Sequence, residues 1–506
     1  MNGWPKSILI VGGGTAGWLA ALVLAAEAKR LARRCDITVV ESTKIGTVGV
    51  GEGTTSVFRH MLEHLGLDEF EFMRETGATI KLGIRHKDWR KLGHHYDGPL
   101  DVPEAVAGPG LDLYAVRAGK PVTDAHLFQH LINRGRAPFA YRDERLIPAG
   151  PYHHAYHFDQ SRTGAWLRTK AQDIRLIDDQ VKDVRVGPGG IEAVVLESGL
   201  SLSAEFYFDC TGFRRVLMDK LGSQWLSFTD VLPVNRAMPF WIDLEEGEEI
   251  DPVTLAWAQK NGWLWQIPTQ ERYGCGYVYS DAHLSPDEAQ AEIETALGRS
   301  IEPRNDIKIN SGRLKDAWVN NCVALGLSSS FLEPLEATSI HGTVVQLLIL
   351  SGIFGTGIEA KPEEYNALVA RQVDDFRDFI RLHYVSKRRD SEFWQDIADT
   401  HPKAVTDWLA FCEKRVPQRS DFQAFPLGLP HVGVELYLPI LDGLGLLKQS
   451  AAKAMLSDQP QLRAKARTAQ AQLVKEYRQA SSKCIPHRAF LEGLSETPVN
   501  GASLSS

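Results

Sequence analysis

The sequence, 506 residues long, predicts an α/β fold with a mainly helical C-terminal region. Three observations predict it. The chain opens with a β-branched apolar run, a glycine turn, an Ala/Leu-rich helical stretch and a second β-branched run. Two later segments, GWLWQIP and CVALGL, read as strands, the second followed by a loop and a long helical pattern. After about residue 380 the pattern becomes mainly helical, with aromatics at Trp408, Phe411, Phe422, Phe425 and Tyr437.

The opening carries the first chemistry. Ser7 to Val11 (SILIV) reads as a strand, followed by Gly12, Gly13, Gly14, Thr15, Ala16 and Gly17. Trp18 to Ala32 reads as a buried helix, and Asp36 to Glu41 (DITVVE) as the next strand. In that setting a G-x-G-x-x-G turn lets backbone approach a pyrophosphate and sets it on a helix N-terminus, where free N–H groups and the dipole favour negative charge. Glu41 lies 24 residues past Gly17, close to the roughly 20 expected for an acid that binds a ribose hydroxyl. An acid there disfavours a 2′-phosphate. The turn is therefore a Rossmann-like site for an adenine dinucleotide, and the fingerprint alone leaves NAD and FAD open. Gly46, Gly49, Gly51 and Gly53 follow in GTVGVGEGTT, a loop able to lie flat against a large ligand, which favours FAD.

Composition removes other classes. Hydrophobic residues are 43% and charged residues 24%, ordinary for a globular protein. Lys and Arg number 56 against 64 Asp and Glu, a net charge of −8, so neither nucleic acid nor an anionic membrane is the expected partner. The six cysteines are scattered without a C-x-x-C pair, which disfavours zinc ribbons and disulfide scaffolds and fits a reducing cytoplasm. The N-terminal run WLAALVLAAEA follows three glycines and lacks a basic leader, so it is not read as a signal peptide. No membrane span is expected. The histidine pairs 94–95 and 153–154 are adjacent in sequence and so do not share a face; no metal site is expected.

Further along, the sequence resembles the flavin-dependent halogenases of the tryptophan halogenase type. The likeness covers roughly residues 5 to 400. It rests on GGGTAGW, GVGEGTT, ATIKLGIRHKDW, AYHFDQSRTGAWLR, FDCTGF, GWLWQIP and FLEPLEATSI. The family's Trp-x-Trp-x-Ile-Pro motif stands intact as Trp263, Trp265, Ile267 and Pro268. Read as a strand, that segment points both indoles the same way, giving a rigid wall that would hold an organic substrate away from the flavin. The resemblance implies a glutathione-reductase-type, flavoprotein-monooxygenase-like fold that takes reduced FAD, dioxygen and chloride or bromide. It implies hypohalous acid delivered through Lys81, Glu336 as catalytic glutamate, and halide held by the amides of Thr338 and Ser339. Ser339 stands where the family pattern has glycine, so strain from positive φ is expected there. Lys81 sits among Ala78, Thr79, Ile80 and Leu82, company that strips its solvation and lowers its pKa.

The expected organisation is a core over residues 1–380, with a helical insertion near 56–75. A helical substrate-covering region follows over 381–506, its tail disordered from about 495. A separate reductase is expected to supply reduced FAD, since the chain carries one dinucleotide fingerprint. The expected substrate is a small electron-rich, indole-like aromatic, and a homodimer is left open. Two rivals share the dinucleotide site: a flavin-dependent aromatic monooxygenase and a non-catalytic FAD-binding redox sensor.

Overall fold

A computed structural model of the protein describes residues 4–45, 51–143, 145–150, 154–356 and 361–496. Gly46, Gly49 and most of the expected tail lie outside the described residues. The opening unit forms as expected, with strand Ser7–Val11, helix Thr15–Arg30 and strand Asp36–Glu41. These strands join a six-stranded sheet in the order Arg175–Asp178, Asp36–Glu41, Ser7–Val11, Phe206–Asp209, Cys322–Ala324, Trp318–Val319. The first five are parallel and the last edge strand is antiparallel. Unbroken apolar runs such as SILIV suit a parallel sheet covered on both faces.

A seven-stranded sheet forms the second layer, ordered Ile307–Lys308, Arg236–Asp243, Arg272–Tyr279, Gly262–Pro268, Val253–Ala258, Gly83–Lys87, His95–Pro99. Its neighbours are antiparallel except Val253–Ala258 with Gly83–Lys87. A small antiparallel sheet of Gly51–Gly53, Ala155–Asp159 and Thr79–Lys81 packs against it. This small sheet positions Lys81.

The helix Thr338–Thr356 is apolar all round and packs against Thr15–Arg30, Ser56–His64 and Pro362–His383. Among the described residues one span, Leu335–Gly355, is long and apolar enough to cross a membrane, contrary to the expectation that none would be. It is a core helix here, with 61% of that window buried inside the protein, and a helix buried on every side needs no polar face.

Helices Ser56–His64 and Glu69–Thr76 occupy the expected insertion. The helical region, however, draws on an earlier stretch of chain as well. Leu111–Ala118 packs against Gln449–Met455 and Pro460–Lys483, and Leu127–Ile132 against the latter. The boundary expected at 380 falls inside the helix Pro362–His383. The chain also returns to the core near its end. His487 Nε2 accepts a hydrogen bond from the Ile80 amide (3.2 Å) and its Nδ1 donates to the Ile250 carbonyl (2.8 Å), tying the C-terminal helix to the strand that carries Lys81.

Candidate active site

The glycine turn is built for close backbone approach. Gly12 has φ +111°, and a Cβ there would lie 2.2 Å from the Cys210 carbonyl oxygen. A Cβ on Gly17 would lie 1.9 Å from the Gly12 carbonyl oxygen. Gly14 begins the helix with no side-chain cap and no acid in the first turn, and nothing lies within 4 Å of where its Cβ would stand. The first-turn amides of Thr15, Ala16 and Gly17 stand at a positive helix end, which fits a pyrophosphate. Glu41 ends its strand beside this turn. Its carboxylate accepts from Trp18 Nε1 (3.2 Å) and Arg168 Nη1 (2.7 Å), so its orientation is already fixed.

A cleft with about 840 Å³ of empty space, part of it open to solvent, runs into the interior. Gly51, Trp265, Ile267, Phe213 and Pro239 give it mostly apolar walls, and Thr338 and Ser339 close one side. Gly51 is needed for the approach of two strands, since its Cβ would sit 3.0 Å from the Gly274 Cα. The flat apolar walls and the helix Thr338–Thr356 suit an isoalloxazine ring and a small anion. Trp263 and Trp265 do share a face, both buried, with ring centroids 6.3 Å apart. Trp265 lines the cleft, and Trp263 stands behind it against Trp89 at 6.1 Å. Gly276 makes room for the Trp265 ring, which would lie 2.0 Å from a Cβ there.

Lys81 is 1% exposed. Its Nζ lies over Gly53, 2.9 Å from where a Cβ would stand. Burial lowers its pKa to about 8, although the nearby Glu336 carboxylate pulls the other way. This shift has a consequence for stability. Between 8 and the ordinary 10.5 only the unfolded chain holds the proton, so the fold loses stability as pH falls through that window, by about 3 kcal/mol once below 8. Lys81→Met should therefore stabilise the fold by that order at pH 7. Chemical denaturation should show the gain fading as pH rises from 8 toward 10.5; a gain independent of pH would remove the buried charge as its cause.

Glu336 sits in the turn Leu335–Ala337 that precedes the long helix. The strain expected at Ser339 is absent there and falls on two neighbours, Glu336 (φ +67°) and Ala337 (φ +53°). Ser339 lies within the helix that begins at Thr338, so its conformation does not require glycine. Such left-handed non-glycine residues cost on the order of 1–3 kcal/mol each and cluster where geometry serves function. Ala337→Gly should relieve one of them and stabilise the protein by about 1 kcal/mol, read as a higher melting temperature. An unchanged or lower value would place the strain elsewhere.

Burial by itself would raise the Glu336 pKa, but His383 and His86 together hold the carboxyl well below its usual range. His383 Nε2 lies 3.0 Å and His86 Nε2 3.6 Å from Glu336 Oε1. Nearby, Tyr384 donates to both oxygens of Glu333 (2.9 and 3.1 Å), whose pKa burial pushes up to about 8. Sequence reading missed His86, His383, Glu333 and Tyr384. One signal was present: in the strand Gly83–Lys87, Ile84 and His86 share a buried face. Rings then run outward from Glu336, with His86 stacked on Tyr96 at 4.8 Å, and His383, Phe379, Tyr437 and Trp408 each within 4.8 Å of the next.

Residues from distant parts of the chain thus meet around this cleft, and the whole chain has relatives among known proteins. The tryptophan halogenase family profile matches residues 7–427. The chain is 35% identical over 492 residues to the tryptophan 6-halogenase SttH of Streptomyces toxytricini, covering 89% of this chain and 92% of that protein. It is 32% identical to the tryptophan 7-halogenase RebH of Lentzea aerocolonigenes, covering 84% and 86%. The solved structure of Tar14, a tryptophan C-6 flavin-dependent halogenase (chlorinase) from taromycin biosynthesis, superposes with a TM-score of 0.88 at 33% identity, over 97% of this chain and 100% of that one. The glycine turn, the cleft and the Trp pair therefore belong to an FAD-dependent oxidoreductase, and the chain is a flavin-dependent halogenase of the tryptophan halogenase family.

Proposed function

We propose that this enzyme halogenates an electron-rich, indole-like arene, with Lys81 delivering the halogen and Glu336 removing the proton. One observation carries the reading: two buried groups 255 residues apart in sequence, Lys81 over the cleft residue Gly53 and Glu336 next to the cleft residue Ala337, lie close enough for the carboxylate to act on the amine. When bound, reduced FAD supplies with dioxygen the oxidising equivalents that turn chloride or bromide into hypohalous acid.

The residues do the rest. Thr338 and Ser339 present first-turn amides where a halide would be held. With its pKa near 8, Lys81 is about one-tenth neutral at pH 7. Its ammonium form can hydrogen-bond hypohalous acid, while its amine form can take the halogen, releasing water. Either form fixes the electrophile at one point. Trp263 and Trp265 separate the arene from the cofactor. Glu336, ionised at any working pH, accepts the proton that the ring loses once halogen has added. Arenium ions are so acidic that even a weak carboxylate base suffices.

Glu41 is proposed to bind the adenosine ribose, and Gly51 to lie against the FAD. Reduced FAD comes from a separate flavin reductase, since the sequence holds a single dinucleotide fingerprint. All six cysteines are free, in keeping with a reducing cytoplasm. The test is direct. Indole or tryptophan incubated with the protein, NADH, a flavin reductase and bromide should give a product with bromine's isotope pattern, replaced by chlorine's when chloride is used. An added oxygen without halogen would assign the monooxygenase reaction instead.

A further inference from the structure

His86, Glu336 and His383 each offer one ligand atom, and the three atoms lie within 4.8 Å of one another. Among the described residues this is the one such group of three or more His, Cys, Asp or Glu side chains. All three are buried, the two histidines completely. Residues so far apart in sequence cannot be found by ligand spacing, which is why no metal site was expected.

The hydrogen bonds around His383 define what lies between these atoms. Its Nδ1 is 2.9 Å from the Phe379 carbonyl oxygen, which only accepts, so Nδ1 carries a proton. Nε2 then meets Glu336 Oε1 at 3.0 Å. A bare imidazole nitrogen and a carboxylate oxygen both present lone pairs, so a proton or a cation must sit between them. His86 adds a third donor aimed at the same oxygen. Its Nε2 is 3.6 Å away, beyond hydrogen-bond reach, and neither of its ring nitrogens has a hydrogen-bond partner. A fully buried imidazole left unpaired is rare. Stacking on Tyr96 fixes its plane.

We propose that His86, His383 and Glu336 form a site for one divalent transition-metal ion of the zinc type, which displaces the shared proton and stops halogenation. Metal–nitrogen and metal–oxygen bonds of about 2.0–2.1 Å in a tetrahedron put ligand atoms about 3.3 Å apart. The two contacts to Glu336 Oε1, 3.0 and 3.6 Å, bracket that value, and the two histidine nitrogens, within 4.8 Å of each other, close toward it as the ion is bound. Histidine nitrogens and one carboxylate are the donors zinc prefers, and the backbone carbonyl on His383 Nδ1 is the outer contact that metal-bound imidazoles usually make. A fourth position stays open. Binding releases the shared proton to solvent and occupies the carboxylate that would accept the ring proton. The binding does not depend on the halogenase mechanism; the inhibition rests on the role given to Glu336.

The test uses the intact protein with Co²⁺ and Zn²⁺ as probes. Co²⁺ should give the intense visible absorption of a tetrahedral site at one ion per chain, bleached by Zn²⁺. Zn²⁺ should also suppress halogenated product while FAD binding and dioxygen uptake persist, and chelation should restore product. His86→Phe, which keeps the ring stacked on Tyr96, should weaken Co²⁺ binding by about 100-fold while FAD fluorescence shows the fold retained. Absence of the tetrahedral spectrum, or an unchanged spectrum in His86→Phe, would overturn the site. A tetrahedral spectrum with product formation unaffected by Zn²⁺ would keep the metal site and instead contradict Glu336 as the base.

Discussion

Lys81→Ala is expected to bind FAD and consume dioxygen much as the parent enzyme does, while losing halogenated product by on the order of 10³-fold. The reasoning follows from where the side chain lies. Nζ stands over Gly53, with Trp265 and Ser339 lining the neighbouring cleft, while the glycine turn proposed for the pyrophosphate is a separate element. Removing the amine leaves the dinucleotide site intact and takes away the point at which the halogen is held. Hypohalous acid would then escape, so a thioether scavenger in solution keeps free oxidant from making product unselectively. The fold should survive, because losing a desolvated amine offsets part of the cavity left behind. Product at the parent rate under scavenger would remove Lys81 from the delivery path.

Glu336→Gln should lower turnover by about 10²- to 10³-fold without weakening FAD binding. The change keeps shape and removes the base. It also removes the one charge that raises the Lys81 pKa, so the Lys81 amine should titrate below 8 in this variant. Substrate deuterated at the halogenated carbon separates this role from a merely structural one. With a competent base the ring proton leaves quickly and little isotope effect is expected. In Glu336→Gln proton loss becomes slow, and a primary isotope effect should appear. Reduced turnover with no isotope effect would make Glu336 a positioning residue. Because the two imidazoles hold its carboxyl so low, no acid limb in the pH profile of the parent should belong to Glu336.

The opening of the chain was legible because each local cue agrees with the fold. SILIV and DITVVE are buried parallel strands, and the glycines between them are required by contacts such as that of Gly12 with the Cys210 carbonyl. Lys81 was singled out by the family motif around it, and its apolar neighbours agree with the burial and lowered pKa found there. Trp263 and Trp265 followed from strand alternation. What escaped is long-range. His86 and His383 reach Glu336 only because the strand Gly83–Lys87 and the end of the helix Pro362–His383 converge on the turn at 335–337. The helices between residues 111 and 132 joined the C-terminal region through tertiary packing that no local periodicity encodes. The strain moved from Ser339 to Glu336 and Ala337 because the helix begins at Thr338, one residue earlier than glycine at the next position would imply.

Delivery through Lys81 is tested most directly by a single turnover in two stages. Chemically reduced FAD, dioxygen and bromide are mixed with the protein, free hypobromite is quenched with a thioether, small molecules are removed, and indole is added last. If Lys81 holds the halogen, the parent protein should brominate the late-added indole and Lys81→Ala should not. Equal yields from both proteins would contradict it.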